Sequence, residues 1–146
     1  MKGAGKHILW IDNDSRHIYP FALALRDEGY NVAVVPTVSE GEARLARGAV
    51  SLVILDVMIP VTSAEEKGEY SPDKTDETHE TGLAFYRKNE KYLTEHEVPV
   101  IVMTVRPDQG IADAFVHAGL PADRFVRKFE VREVDAFLAK IHNILK

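Results

Sequence analysis

Short, unbroken apolar runs punctuate this chain, and between them apolar residues recur at helical spacing. The runs are His7–Ile11, Asn31–Val35, Ser51–Leu55, Val98–Met103 and Arg124–Arg127. None alternates apolar with polar, which is the pattern of a strand buried on both faces of a helix-covered parallel sheet. The first predicted helix opens at Ser15, places Ile18, Ala22 and Leu25 inward and stops at Gly29, with Pro20 expected in its first turns or at a kink. The second opens at Ser39 with Ala43, Leu45 and Ala46 inward and closes near Gly48. The third runs from Gly82 to about Tyr92 around Leu83, Phe85 and Tyr86. The fourth begins near Pro107, buries Ile111, Phe115 and Val116 and ends at Gly119. The last spans Glu130–Leu145 with Val134, Phe137, Leu138, Ile141 and Leu145 on one stripe. Five strands alternating with five helices predict a doubly wound α/β domain with a parallel sheet and right-handed crossovers.

Polar chemistry gathers where the apolar runs stop. The first run ends on Asp12-Asn13-Asp14, the third on Asp56, the fourth on Thr104 and the fifth on Lys128. In a parallel sheet these ends share one edge, and ligands bind there. Clustered carboxylates repel unless a cation joins them, and hard oxygen ligands suit magnesium. An ammonium from Lys128 and a hydroxyl from Thr104 beside Asp56 make a kit for accepting a phosphoryl group, where positioning and charge do most of the catalysis.

Composition narrows the classes. The chain has 146 residues, 45% of them hydrophobic, and no cysteine, which excludes disulfides, thiolate metal sites and a cysteine nucleophile. No apolar run approaches a membrane span, and Met1–Lys6 leads straight into a strand, so a cytoplasmic protein without membrane attachment is expected. The net charge of −5 argues against direct nucleic-acid binding. That charge is localised. Residues 61–81 hold seven acids (Glu65, Glu66, Glu69, Asp73, Asp76, Glu77, Glu80) against Lys67 and Lys74, so the rest of the chain balances. The segment reads as a solvated, flexible acidic insertion, with a lid or partner-docking element as the second reading.

The motifs I-D-N-D at 11–14, L-D-V-M-I-P at 55–60, V-M-T at 102–104 and F-V-R-K at 125–128 together resemble the receiver domains of two-component response regulators. The resemblance implies one receiver domain over residues 6–146, interrupted by the 61–81 insertion, with the flavodoxin-like strand order 2-1-3-4-5. It implies a single-domain response regulator rather than an enzyme: Asp56 takes a phosphoryl group from a histidine kinase or phosphotransfer protein and assists its own phosphorylation and dephosphorylation. Thr104 and Lys128 would bond the phosphoryl oxygens. Magnesium would be held by Asp12, Asn13, Asp56 and the Met58 backbone carbonyl, with Asp14 as a further candidate. Phe125 would be the switch aromatic on the face of helix four, strand five and helix five, through which a downstream protein partner binds or a homodimer forms.

Departures from the family pattern carry their own expectations. Asn13 stands where the second adjacent acid is usual, Val105 where a small residue follows the threonine, Phe125 where tyrosine is commoner and Phe129 where proline follows the lysine. They motivate a second reading, a degenerate receiver that binds partners without phosphorylation. A third, a small phosphohydrolase, rests on D-x-D at 12–14, which superficially matches the haloacid dehalogenase signature and would make Asp12 the nucleophile. The chain is short for it. The six histidines lack metal spacing and read as solvated, and Trp10 as core.

Overall fold

The computed structural model describes residues 2–76 and 79–146; Glu77 of the acidic segment lies outside them. Strands β1 (His7–Ile11), β2 (Asn31–Val35), β3 (Leu52–Leu55), β4 (Val100–Thr104) and β5 (Phe125–Arg127) form one parallel sheet in the order β2-β1-β3-β4-β5. The helices among the described residues are α1 (Ser15–Asp27), α2 (Val38–Ala46), α3 (Ser63–Glu66), α4 (Pro72–Thr75), α5 (Thr81–Glu95), α6 (Gln109–His117) and α7 (Val134–Ile144). The predicted fourth and fifth helices are thus α6 and α7. Two further helices, α3 and α4, occupy the acidic segment.

The unalternating strands are explained by two cores. Leu9, Ile11, Val53, Leu55 and Val102 pack toward one face with Leu45, Phe85 and Phe115. Ile8, Trp10, Leu52, Ile54, Ile101 and Met103 pack toward the other with Phe21, Leu25, Phe137 and Ile141. Trp10 stacks on Phe137 at 5.6 Å between ring centroids, and Phe21 meets the same ring edge-on at 5.2 Å. With both faces covered, each strand must be apolar at every position.

Helix boundaries differ from the sequence reading where a capping side chain decides them. Asp14, not Ser15, caps α1, its carboxylate accepting from His17 N at 3.4 Å. Pro20 lies inside α1, five residues beyond its start. Thr37 caps α2 two residues earlier than Ser39 would, and the buried face is Val38, Gly41 and Leu45, with Ala43 and Ala46 exposed. Asp108 caps α6 after Pro107, and Val116 faces solvent. A 3-10 turn over Val131–Glu133 occupies the expected start of α7.

The acidic segment is strapped down at two points. Buried Glu65 closes a capping box with Thr62 and accepts from the backbone N–H (2.7 Å) and hydroxyl of Ser39, at the start of α2. Burial alone would raise the Glu65 pKa, but these hydrogen bonds outweigh it and hold the carboxyl below its ordinary value. Tyr70 is buried and donates to Glu42 of α2 at 3.0 Å, while Lys88 of α5 pairs with the same carboxylate at 2.9 Å. The described part of the segment therefore packs on α2 and α5 through a minority of its residues, its remaining acids facing water.

Helix α5 begins directly against the Asp56 loop. Gly82 N donates to the Val57 carbonyl at 2.8 Å, and a Cβ at Gly82 would stand 2.0 Å from the Asp56 carbonyl oxygen. Only glycine fits so close a backbone approach. Gly82→Ala is expected to lower unfolding free energy by about 2–3 kcal/mol in a denaturant titration, against less than about 1 kcal/mol for Gly68→Ala, whose Cβ would meet nothing nearer than 3.9 Å. Equal effects would contradict this packing.

Candidate functional site

Strand register assembles the site. Ile11 pairs with Leu55 and Val35, so Asp12 and Asp56 leave β1 and β3 side by side; Asp56 N donates to Ile11 O and Asp12 N to Val35 O, each at 3.0 Å. Val102 pairs with Phe125 and Thr104 with Arg127, and Lys128 N then donates to Thr104 O at 2.8 Å. Four residues far apart in sequence thus end at one sheet edge. All four are buried, Asp12 at 1% exposure and Asp56 at 9%.

The two carboxylates share one ammonium. Lys128 Nζ lies 2.7 Å from Asp12 Oδ2 and 3.6 Å from Asp56 Oδ2. The shorter of the two contacts pairs the ammonium with an Asp12 oxygen that is itself buried. Asp12 Oδ1 accepts from Asp14 N, and Asp56 Oδ1 accepts from Val57 N, each at 2.8 Å. Burial, with the Asp12 charge beside it, raises the Asp56 pKa from 3.8 to about 6, against the opposing pull of Lys128 and the Val57 N–H. Two buried anions against one cation leave an uncompensated negative charge, which a small divalent cation at the mouth would neutralise. The donor chemistry fits magnesium: hard carboxylate oxygens from two buried acids that a single ammonium does not neutralise.

Asn13 and Asp14 are exposed, and Asp14 is engaged at the α1 cap, outside the Asp12–Asp56–Lys128 group. Among the described residues no group of three or more histidine, aspartate or glutamate side chains is placed to hold a metal. The Met58 side chain is exposed beside Asp56, as is Val105 beyond Thr104. Phe125 packs on Phe115 at 5.6 Å and lines a cavity of about 360 Å³ with Thr104, Val57, Met58 and Ile111. Phe129 meets Phe137 edge-on at 5.7 Å, so the aromatic standing where proline is usual is used to pack α7. Two histidines depart from the solvated reading: His17 Nε2 and His142 Nε2 are both buried, and the Tyr30 hydroxyl bonds His142 Nδ1.

The fold is that of response regulator receiver domains. A receiver domain protein (CheY-like) from Methanospirillum hungatei is similar over 94% of this chain and 94% of its own, at 19% identity and a TM-score of 0.69. The BeF3-activated N-terminal receiver domain of RstA from Klebsiella pneumoniae is similar over 97% of this chain and 99% of its own, at 18% identity and a TM-score of 0.71. In sequence the chain is 31% identical over 141 residues to an uncharacterized transcriptional regulatory protein, YkoG, of Bacillus subtilis. The match takes in 96% of this chain and 51% of YkoG, so the chain spans about half the length of that relative. No family model matches. No helix among the described residues is long and apolar enough to cross a membrane.

The raised Asp56 pKa fixes the sign of a stability effect. Between about pH 4 and about pH 6 the folded protein holds a proton on Asp56 that the unfolded chain has released, so stability falls as pH rises through that window. Without divalent cations, Asp56→Asn is expected to be more stable than the wild type at pH 8 by about 1–3 kcal/mol, the difference shrinking as pH falls from about 6 to about 4. A pH-independent difference in denaturant titrations would refute the burial argument.

Proposed function

We propose that this chain is a cytoplasmic receiver domain of the two-component response-regulator family, in which Asp56 accepts a phosphoryl group from a phosphohistidine of a histidine kinase or phosphotransfer protein. The observation that carries the reading is the pair of buried carboxylates, Asp12 and Asp56, sharing the Lys128 ammonium at the carboxyl edge of a sheet with the receiver strand order. A structural ion pair needs one acid. The second acid, and the strain registered in the Asp56 pKa, support a site made to receive a cation and a phosphoryl group.

In the reaction an Asp56 carboxylate oxygen forms a bond to phosphorus as the donor's P–N bond breaks. The bonding pair leaves with the imidazole nitrogen, and the product is an aspartyl phosphate. Lys128 and the Thr104 hydroxyl hold the transferred oxygens, supplying the positioning on which phosphoryl transfer depends. Magnesium, held by Asp12, Asp56, the Met58 carbonyl and the Asn13 amide oxygen, supplies charge neutralisation for those oxygens. Asp14 stays with the α1 cap. Lys128 must turn from Asp12 toward the phosphoryl group, and Phe125, lining the cavity behind Thr104, is the aromatic whose rotation reports the change on the α6–β5–α7 face. A protein partner, or a second copy, reads that face.

A second reading rests on one distance. Lys128 sits closer to Asp12 than to Asp56, and Asn13 brings no charge, so a module in which the ion pair permanently replaces the metal would bind partners without phosphorylation.

The two separate cleanly. Incubation with acetyl phosphate and magnesium, followed by intact mass measurement, is expected to give one phosphoryl adduct, absent from Asp56→Asn and dependent on magnesium. Thr104→Ala and Lys128→Ala are expected to slow its formation about tenfold or more. Magnesium alone should raise the melting temperature of the wild type and not of Asp12→Asn. No adduct and no magnesium response would establish the module instead.

A further inference from the structure

The mouth beside Asp56 has a wall supplied by the acidic segment. A cavity of about 360 Å³ is lined by Val57 and Met58, which follow Asp56, by Thr104 and Phe125, and by Asp76, His79 and Glu80 of the acidic segment, with Arg106 and Asp108. Asp76 is exposed, 3.8 Å from the equally exposed His79. Asp108 is partly occupied in capping α6, where it accepts from Ile111 N at 3.0 Å. Among the described residues lining this cavity, three are carboxylates and one, Arg106, is a guanidinium.

Asp76 and Glu80 also line a neighbouring groove of about 470 Å³ with Lys74, Arg87 and Lys88. Lys88 is held by Glu42 at 2.9 Å and does not neutralise them. Residues 61–81 carry a net charge equal to that of the whole chain, and Asp76 and Glu80 bring part of it to this cavity. Exposed charges act over about 10 Å at ordinary ionic strength, so a rim of this kind changes the rate at which charged molecules reach the site.

We infer that the Asp76–Glu80 rim is a specificity determinant that disfavours small dianionic phosphodonors at Asp56 and admits a phosphohistidine presented on a protein surface with cationic residues around it. The inference rests on the phosphoacceptor reading above. Its origin is electrostatic: a free dianion meets the rim's repulsion unshielded, whereas cations flanking a protein-bound phosphohistidine pair with Asp76 and Glu80. Glu65 and Tyr70 strap the earlier part of the same segment to α2.

The test uses the full chain at saturating magnesium, comparing the wild type with Asp76→Asn/Glu80→Gln. Adduct formation is followed by intact mass with acetyl phosphate, a dianion, and with phosphoramidate, a monoanion, at ionic strengths from about 10 to about 300 mM. With acetyl phosphate the double variant is expected to react about three- to tenfold faster than the wild type at low ionic strength, the gap closing at high. The gap with phosphoramidate should be smaller. A wild type and variant that label at the same rate across the salt range would overturn the inference while leaving Asp56 as the phosphoacceptor. Absence of an adduct from both donors in both proteins would overturn the phosphoacceptor reading and the rim's role with it. A magnesium titration of Trp10 fluorescence, expected to show weaker binding in the double variant through the same field, sets the concentration that saturates both proteins, so that the rates are compared with the metal site filled.

Discussion

Two carboxylates buried beside one ammonium are the constraint around which this domain is arranged. Asp12 and Asp56 cannot both be comfortable with only Lys128 between them: desolvation and mutual repulsion raise the Asp56 pKa to about 6. A fold selected for stability alone would replace such a group with apolar side chains of similar volume. Its presence makes sense if the missing positive charge arrives from outside, and Asp56, the carboxylate farther from the ammonium, is where compensation is lacking.

The sheet exists, in functional terms, to hold that group together. Parallel pairing fixes which residues stand level at the carboxyl edge, and a slip of one residue at β1 or β3 would turn a carboxylate away from its neighbour. Gly82 ties the start of α5 to the backbone of the Asp56 loop. Lys88 of α5 pairs with Glu42, which also accepts from Tyr70, so α5 contacts both the Asp56 loop and the carboxylate that holds the acidic segment.

Much of this was legible in the sequence, for a physical reason. Strands covered on both faces are apolar at every position, so a polar residue at their ends stands out. Asp12, Asp56, Thr104 and Lys128 were readable as a group because nothing in the packing of β1, β3, β4 and β5 explains them. What was illegible depended on partners distant in the chain. Glu65 looked like one more solvated acid, because its burial depends on donors supplied by Ser39. Tyr70 lies in a stretch too polar to suggest a core residue, and it is buried only because Glu42 takes its hydroxyl. The inward face of α2 is set by close packing that the sequence does not display: Gly41 lies against the sheet, where a Cβ would stand 2.5 Å from Ile11 Cδ1, and Ala43 and Ala46 face outward. His17 and His142 illustrate the same limit, since a histidine's burial is set by what packs over it.

The central claim is that Asp56 is held in electrostatic tension that a divalent cation relieves. Carboxyl-carbon NMR titration of Asp56, assigned by comparison with Asp56→Asn and run with and without magnesium, tests it directly. The account predicts a pKa of about 6 for Asp56 in chelator, falling into the ordinary carboxylate range when magnesium is added. An Asp56 that titrates in the ordinary range without metal, or one whose titration magnesium leaves unmoved, would contradict it.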